Sequence, residues 1–358
     1  MATDRFHERP FDEGTLTKLE VFQLYTREWL PVFLASPAPT WKDVHVFDFF
    51  AGPGTDVTGV PGSPLRVLEE LKFAKGRCQG WTAVRTSAHF FDADRAKIEQ
   101  LRTKSKALLS ELSDLTLETE AWDFKTSFSA ARPVLGRRDA AKLVLIDQFG
   151  VDVVSDDVFR ELVAFPTCDV LFFISSSTLH RFRDHPAIRQ KIERPDDYYH
   201  VHRAVVEYYR GLLPKSSRYF LGRFSIKKGT NIYGLIFGSA HPLGMDKFLQ
   251  VAWKADAITG EADFDIDRDD CGPLFAGVLP PTKIDAFRLD LTSRIRAGEV
   301  RTEAEVIDVC FQHGVKRQHA TEVLKKLKSD GLIEYDFRVP SIDRLRDPKP
   351  IRLLDSRR

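Results

Sequence analysis

Residues 45–54 (HVFDFFAGPG) join an apolar run to a glycine-rich turn, with a carboxylate, Asp48, at the junction. The run Val44, Val46, Phe47, Phe49 and Phe50 predicts a strand covered on both faces, as in a parallel sheet. Gly52 and Gly54 let backbone approach a ligand closely. A carboxylate inside such a run needs a donor or a cation, so the chemistry on offer is a cradle for a nucleotide-type cofactor. The turn lacks the Lys-Ser/Thr of a phosphate loop and the third glycine of the dinucleotide pattern. A plain strand-to-helix turn is the alternative. Four more acids follow apolar segments: Asp92 and Asp94 close AHFFDAD, Asp123 lies beyond LTLETE, and Asp147 follows KLVLI.

The elements that must position these residues alternate between the two periods. Residues 16–34 place Leu19, Phe22, Tyr25, Trp29 and Leu30 at helical spacing. After the first strand, Ser63 is positioned to cap a helix that starts at Pro64. Segments 88–94, 115–120, 142–146 and 169–175 read as four further strands, and 96–112 as a helix between the first two of them. Five strands separated by helical stretches predict an α/β fold with an open, mostly parallel sheet. Ligands in such sheets sit at the carboxyl ends of the strands, where Asp92, Asp94, Asp123 and Asp147 all fall. A polar, aromatic helix within 189–213 precedes strands 218–226 and 232–239. These are joined by KKGTN as an antiparallel hairpin that closes the sheet.

The glycine- and proline-rich stretch 271–281 (CGPLFAGVLPP) marks a boundary. The expected organisation is a large Rossmann-like domain, 1–270, a linker, 271–282, and a small domain, 283–358. In the last, helices 284–296, 303–312 and 317–329 would form a helix-turn-helix about Gly314, with 332–338 and 351–354 as a wing. On its third helix Arg317, Gln318, Thr321 and Lys325 share a face that in a DNA reader enters the major groove. A protein-docking module or a solvated face accounts for the same pattern.

Composition narrows the classes. The chain has 358 residues, 43% apolar and 29% charged, which suits one large domain plus a small one. No run of eighteen uncharged apolar residues exists, and the charged N-terminus lacks the apolar centre of a signal peptide, so a cytoplasmic protein without a membrane span is expected. Cys78, Cys168, Cys271 and Cys310 show no CxxC or Cys/His spacing, which predicts free thiols and no zinc site. A net charge of +1 gives no overall pull on nucleic acid. Contact would need a local patch, such as Lys316, Arg317, Lys325, Lys326 and Lys328, or Arg223, Lys227 and Lys228.

The acid followed by FAGPG resembles the first motif of class I S-adenosylmethionine (SAM) dependent methyltransferases. The wider order resembles the three-Cys-motif partner (TcmP) proteins: a helix with Lys18, Tyr25 and Trp29, then DFFAGPG, GSPL (62–65), FFDAD, LIDQFG and a trailing winged helix. That resemblance spans nearly the whole chain and implies a Rossmann-like methyltransferase sheet with an antiparallel terminal hairpin, a C-terminal winged helix-turn-helix domain, and a separate partner that bears the three cysteines. One departure is Gln148, where the family's tetrapeptide after the fourth strand looks like DPYG.

The resemblance also implies roles. Gly52 and Gly54 would pass under the methionine part of SAM, and Asp48 would accept from its ammonium group. Asp92 would take the ribose hydroxyls, with Asp94 as competitor or helix cap, and Asp123 would meet the adenine amine or serve as a turn residue. Asp147 and Phe149 would line the reaction centre; Ser177, His180 and Arg181, which follow the fifth strand at the same end of the sheet, would contact substrate or else face the core or cap a helix. The acceptor implied is nucleic acid, DNA or RNA, or a substrate linked to it. Two rivals stand beside this: an adaptor of the same fold without catalysis, and a hydrolase, which would need a metal-ligand group that the sequence does not display.

Overall fold

The structure is a computed structural model that describes residues 9–147, 154–174, 201–215, 217–228, 231–263 and 282–354. By compactness the chain divides into two units that meet at Lys247 and Phe248. The glycine- and proline-rich stretch 271–281 lies outside the described residues.

The first unit is a mixed α/β layer structure. Helix α1 (Glu13–Leu34) precedes β1 (Asp43–Asp48), followed by α2 (Ser63–Arg77), β2 (Arg85–Phe91), α3 (Arg95–Glu111), β3 (Thr116–Glu120) and α4 (Phe124–Leu135). Then come β4 (Ala140–Ile146), α5 (Asp156–Ala164), β5 (Cys168–Ile174), α6 (Val201–Leu212), β6 (Phe220–Lys228), β7 (Asn231–Ser239) and α7 (Pro242–Ala255), whose last residues cross into the second unit. Among the described residues the sheet has seven strands in the order β3-β2-β1-β4-β5-β7-β6. The first five are parallel, β7 runs antiparallel to β5, and β6 pairs with β7 as the expected hairpin.

Local chemistry accounts for these limits. Every residue of β1 and of β4 is buried, as a central strand covered on both sides requires. Asp12 caps α1 by accepting from Thr15 N–H, Asp94 caps α3 through Ala96 N–H, and Ser155 caps α5 through Val158 N–H. The start of α2 differs from expectation: Gly62 is the cap residue and Ser63 the first helical residue, so Pro64 stands second and no side chain caps the turn. Proline has no N–H to satisfy there, and the Ser63 hydroxyl is free to act on Asp48 instead.

Beneath the carboxyl end of β1 the core is aromatic. Phe49 is 1% exposed and meets the rings of Phe47, Phe91, Phe124 and Phe128 at centroid distances of 5.4–5.9 Å. Such packing fixes the direction in which the chain leaves the strand.

The second unit holds α8 (Lys283–Arg296), α9 (Glu303–His313), α10 (Arg317–Ser329), β8 (Ile333–Tyr335) and β9 (Ile351–Leu353), the two strands pairing antiparallel. A capping box between Thr302 and Glu305 starts α9, and Gly314 at φ +63° ends it in the left-handed region. Its core is Phe287, Leu291, Ile295, Val306, Ile307, Cys310, Leu324 and Ile333. Buried Glu303 accepts from the backbone N–H groups of Ser341 and Lys349, which ties α9 to the segment between the two strands.

Candidate functional site

Strand order reverses between β1 and β4: one series runs β1, β2, β3 and the other β4, β5. The chain therefore leaves β1 and β4 in opposite directions and opens a crevice at their carboxyl ends, the place where open α/β sheets bind ligands. Asp48 is the last residue of β1, and Asp147 is the first beyond β4.

The turn after β1 is held on three sides. Phe49 N–H donates to Leu145 O on β4 (3.1 Å), Ala51 N–H to Phe91 O on β2 (2.9 Å), and Gly62 N–H returns to Gly54 O (2.8 Å). Gly52 at φ +62° and Gly54 at φ +88° take conformations that favour glycine. A Cβ on Gly54 would also stand 3.0 Å from Leu101 Cδ1. Asp56 organises the rest of the loop by accepting from the N–H groups of Phe11, Thr58 and Val60.

The structure brings three of the expected carboxylates together here. Asp48 is fully buried; Oδ1 accepts from Phe50 N–H at 3.1 Å, while Oδ2 has no hydrogen-bond partner among the described residues. Burial pushes its pKa from 3.8 to about 7; Ser63 and the Phe50 N–H pull it down, and the charges of Asp147 and Asp92 push it further up. Asp92 points at the glycine turn: Oδ2 accepts from Gly52 N–H at 3.1 Å and Oδ1 from Asp94 N–H at 2.8 Å. Its pKa is raised, by burial above all. Asp147 Oδ2 pairs with Lys18 Nζ of α1 at 2.5 Å, and its Oδ1 is buried with no partner among the described residues. Lys18 is 2% exposed and also lies over the Phe173 ring, 4.7 Å from its centroid.

The other expected residues are placed differently. Asp94 is the cap of α3. Asp123 is exposed and caps α4, its Oδ1 accepting from Thr126 N–H at 2.8 Å; these hydrogen bonds hold its pKa low. Beside it stand aromatic rings that the sequence reading did not single out as a set: Phe50 stacks on Phe124 (5.9 Å between centroids, 13° between planes) and Trp122 on Phe91 (5.8 Å, 8°). Their signal was present, as two aromatics flanking Asp123 after a strand. Phe149, Gln148, Ser177, His180 and Arg181 lie outside the described residues. Lys18 was visible in sequence only as part of the family pattern; its pairing with Asp147, 129 residues away, has no local signature.

The polar groups fit an ammonium-bearing ligand with vicinal hydroxyls. Two buried carboxylate oxygens lack partners and a third acid addresses the turn. The free space is small, however. A cavity of about 20 Å³ lies between the turn, Ser63, Asp147 and the α1 residues Thr15 and Leu19, room for roughly one water molecule. No group of three or more His, Cys, Asp or Glu poised to hold a metal occurs among the described residues.

In the second unit, α10 exposes Gln318 and Lys325. Arg317 is half-buried and donates to Pro340 O. Thr321 is half-buried with its hydroxyl enclosed and without a hydrogen-bond partner among the described residues, so it does not share the outward direction of Gln318 and Lys325. Cys78, Cys168 and Cys310 are buried free thiols; Cys271 lies outside the described residues. No helix among the described residues is long and apolar enough to cross a membrane.

No protein-family model and no curated protein matches this chain. Among solved structures it is similar to spermidine synthase from Thermotoga maritima (15% identity, 64% of this chain and 60% of that chain, TM-score 0.34). It is also similar to the O-methyltransferase TomG from Streptomyces achromogenes in complex with SAM (12%, 64% and 89%, 0.32) and to a SAM-dependent methyltransferase from Agrobacterium tumefaciens (13%, 61% and 61%, 0.31).

Proposed function

We propose that the protein binds SAM at the carboxyl ends of β1, β2 and β4 and transfers its methyl group to a nucleic acid or a substrate linked to one, in company with a three-Cys-motif protein. The observation that carries this reading is the convergence of Asp48, the Gly52–Gly54 turn, Asp92 and Asp147 at the switch point, three acids of which Asp147 is paired with Lys18 and Asp92 feels the charge of Lys97. Such a cluster suits a ligand that brings positive charge, and SAM carries two such charges, an ammonium and a sulfonium.

Bound there, SAM would supply a methyl group activated by the sulfonium. Asp48 would hold the ammonium, and the backbone of Gly52 and Gly54 would leave space beneath the chain. Asp92 would accept from the ribose hydroxyls, and Phe50, Trp122 and Phe124 would offer rings beside the base. Asp147, oriented by Lys18, would receive the acceptor's proton. Bound SAM would need more room than the cavity of about 20 Å³ gives.

Calorimetry tests the reading directly: SAM should bind with roughly micromolar Kd, and Asp92→Ala should weaken it at least about ten-fold, the loss of one charge-assisted contact. Absence of heat at millimolar SAM refutes it. Incubation with labelled SAM and separated DNA, RNA and protein fractions then identifies the acceptor.

The closed cavity and the Lys18–Asp147 pair favour a second reading, an adaptor of methyltransferase fold that links its partner to DNA. In that case partner and DNA binding persist unchanged in Asp48→Ala and Asp92→Ala. In both readings residues 283–358 act as a winged helix in a cytoplasmic protein. Gln318 and Lys325 supply its outward face, and Arg317 braces the wing. Lys325→Ala should then reduce the salt slope of DNA binding by about one.

A further inference from the structure

At the amino end of the parallel strands, away from the carboxylate rim, the first unit encloses a cavity of about 270 Å³. Its walls are aromatic and aliphatic: Tyr25, Trp29 and Phe33 from α1, Trp41 ahead of β1, and Leu243 from α7. The rings form a ladder, Trp29 to Phe33 at 4.8 Å and Phe33 to Trp41 at 5.9 Å between centroids. The acid of the cavity is Asp169, the second residue of β5, which lines it together with the polar residues Thr167, Ser239, His241 and Lys247. Asp169 pairs in register with Leu143 on β4, four residues before Asp147, so the two acids are separated by roughly 13 Å of strand.

Asp169 is an acceptor with capacity to spare. Tyr25 donates to Oδ2 at 2.6 Å, and the side chains of Trp29 and Ser239 also hydrogen-bond to the carboxyl group. Three donors leave one of the roughly four acceptor positions of a carboxylate open. Gly244 makes this arrangement possible, because a Cβ there would collide with Ser239 Oγ and stand 3.0 Å from Asp169 Oδ2. Burial raises the Asp169 pKa to about 6 against the pull of those donors.

No cation pairs with it among the described residues. Lys247 at the rim is held by Glu28 at 2.7 Å. His241 Nδ1 accepts from Leu243 N–H at 3.1 Å. Burial keeps Tyr25 a neutral phenol and Cys168 a neutral thiol, the latter pushed up to about 12. A carboxylate at the bottom of an aromatic cavity, without a counter-charge, is costly unless a cation completes it. Indole faces attract the same kind of group.

We propose that this cavity is a second ligand site, which takes a small organic cation: a protonated amine or quaternary ammonium on an apolar body of about one aromatic ring, with or without a short side chain, with the charged head at Asp169 and the body between Trp29, Phe33 and Trp41. A cavity of about 150 Å³ already admits benzene, so this one has room for a ring and its side chain. The site is independent of the reading given to the carboxylate rim.

Calorimetric titration of the full chain with phenethylammonium and phenyltrimethylammonium chlorides, against neutral 3-phenylpropan-1-ol, tests it. The ammonium probes should bind with Kd below ~1 mM and the alcohol at least about ten-fold more weakly. Asp169→Asn should cost the ammonium probes about ten-fold or more and leave the alcohol unchanged. Val32 lies at the cavity mouth with 39% exposure, so Val32→Trp should fold normally and block both kinds of probe. The last variant and the probe comparison in the wild-type chain decide the matter if Asp169→Asn does not fold. Equal affinity for alcohol and ammonium, no ammonium binding at about 10 mM, or binding unaffected by Val32→Trp would each overturn the proposal. Asp92→Ala, which reports on the rim, should leave these affinities as they are.

Discussion

Asparagine in place of Asp48 should make the ligand-free protein progressively more stable than wild type as pH rises. In the wild-type chain this carboxyl group has its pKa raised by burial from 3.8 to about 7. Its contribution to stability is therefore complete below its ordinary pKa and is lost as pH climbs through about 7, because the unfolded chain ionises freely while the folded one resists. At about 1.4 kcal/mol per pH unit, the full displacement corresponds to roughly 4 kcal/mol. Between pH 5 and pH 8 the share lost is roughly 2–3 kcal/mol, from the two titration curves. The amide keeps the acceptor for Phe50 N–H and cannot ionise, so Asp48→Asn lacks this loss. At about 2–4 °C per kcal/mol for a unit of this size, the difference in Tm between variant and wild type should widen by roughly 5–10 °C from pH 5 to pH 8. Differential scanning calorimetry at four pH values measures it, and any constant effect of the substitution cancels in the comparison. A difference that stays flat within about 1 °C would show that Asp48 does not titrate as a buried member of a carboxylate cluster, and the electrostatic case for a cationic ligand would go with it.

Three further outcomes are expected. Lys18→Met leaves the Asp147 carboxylate buried without its cation and should cost about 3–5 kcal/mol in denaturant unfolding, whereas Lys18→Met with Asp147→Leu should recover most of that; equal losses in the single and double variants would remove the ion pair as the reason. Gly54→Ala meets both a left-handed φ of +88° and Leu101 Cδ1 at 3.0 Å, so a loss of about 1–3 kcal/mol is expected, and a neutral result would mean that the turn relaxes freely. Asp123→Ala should cost about 1 kcal/mol as the loss of a helix cap and change SAM affinity less than about three-fold; a large affinity loss with unchanged stability would return Asp123 to the cofactor.

The parts of the fold read correctly from sequence are those governed by short periods and end chemistry. The buried strands, the amphipathic α1 and the terminal hairpin follow from spacing alone, and α10 falls at Arg317–Ser329 as its pattern predicts. The GSPL turn was misread by one position because serine and glycine both serve as caps, and only the placement of Asp48 decides that Ser63 turns inward. Sequence assigns Asp92 to the ribose with Asp94 as competitor or helix cap, two acids in one tripeptide; in the structure Asp92 reaches back across to Gly52 and Asp94 caps α3.

Long-range pairing explains what sequence could not supply, and α1 is the clearest case. Lys18, Tyr25 and Trp29, seven and four residues apart, form one stripe about 16 Å long on a straight helix. Lys18 meets Asp147 at the carboxyl end of β4, and Tyr25 and Trp29 meet Asp169 at the amino end of β5. One helix face thus supplies the cation for one buried acid and only neutral donors for the other. That difference in partner, invisible in a list of amphipathic positions, separates a rim whose charge is partly balanced from a cavity whose charge is not. Exchanging the chemistry should exchange the behaviour: Trp29→Lys brings an ammonium into the Asp169 cavity, and it should abolish binding of the ammonium probes while leaving the Lys18–Asp147 end and its pH dependence unaltered.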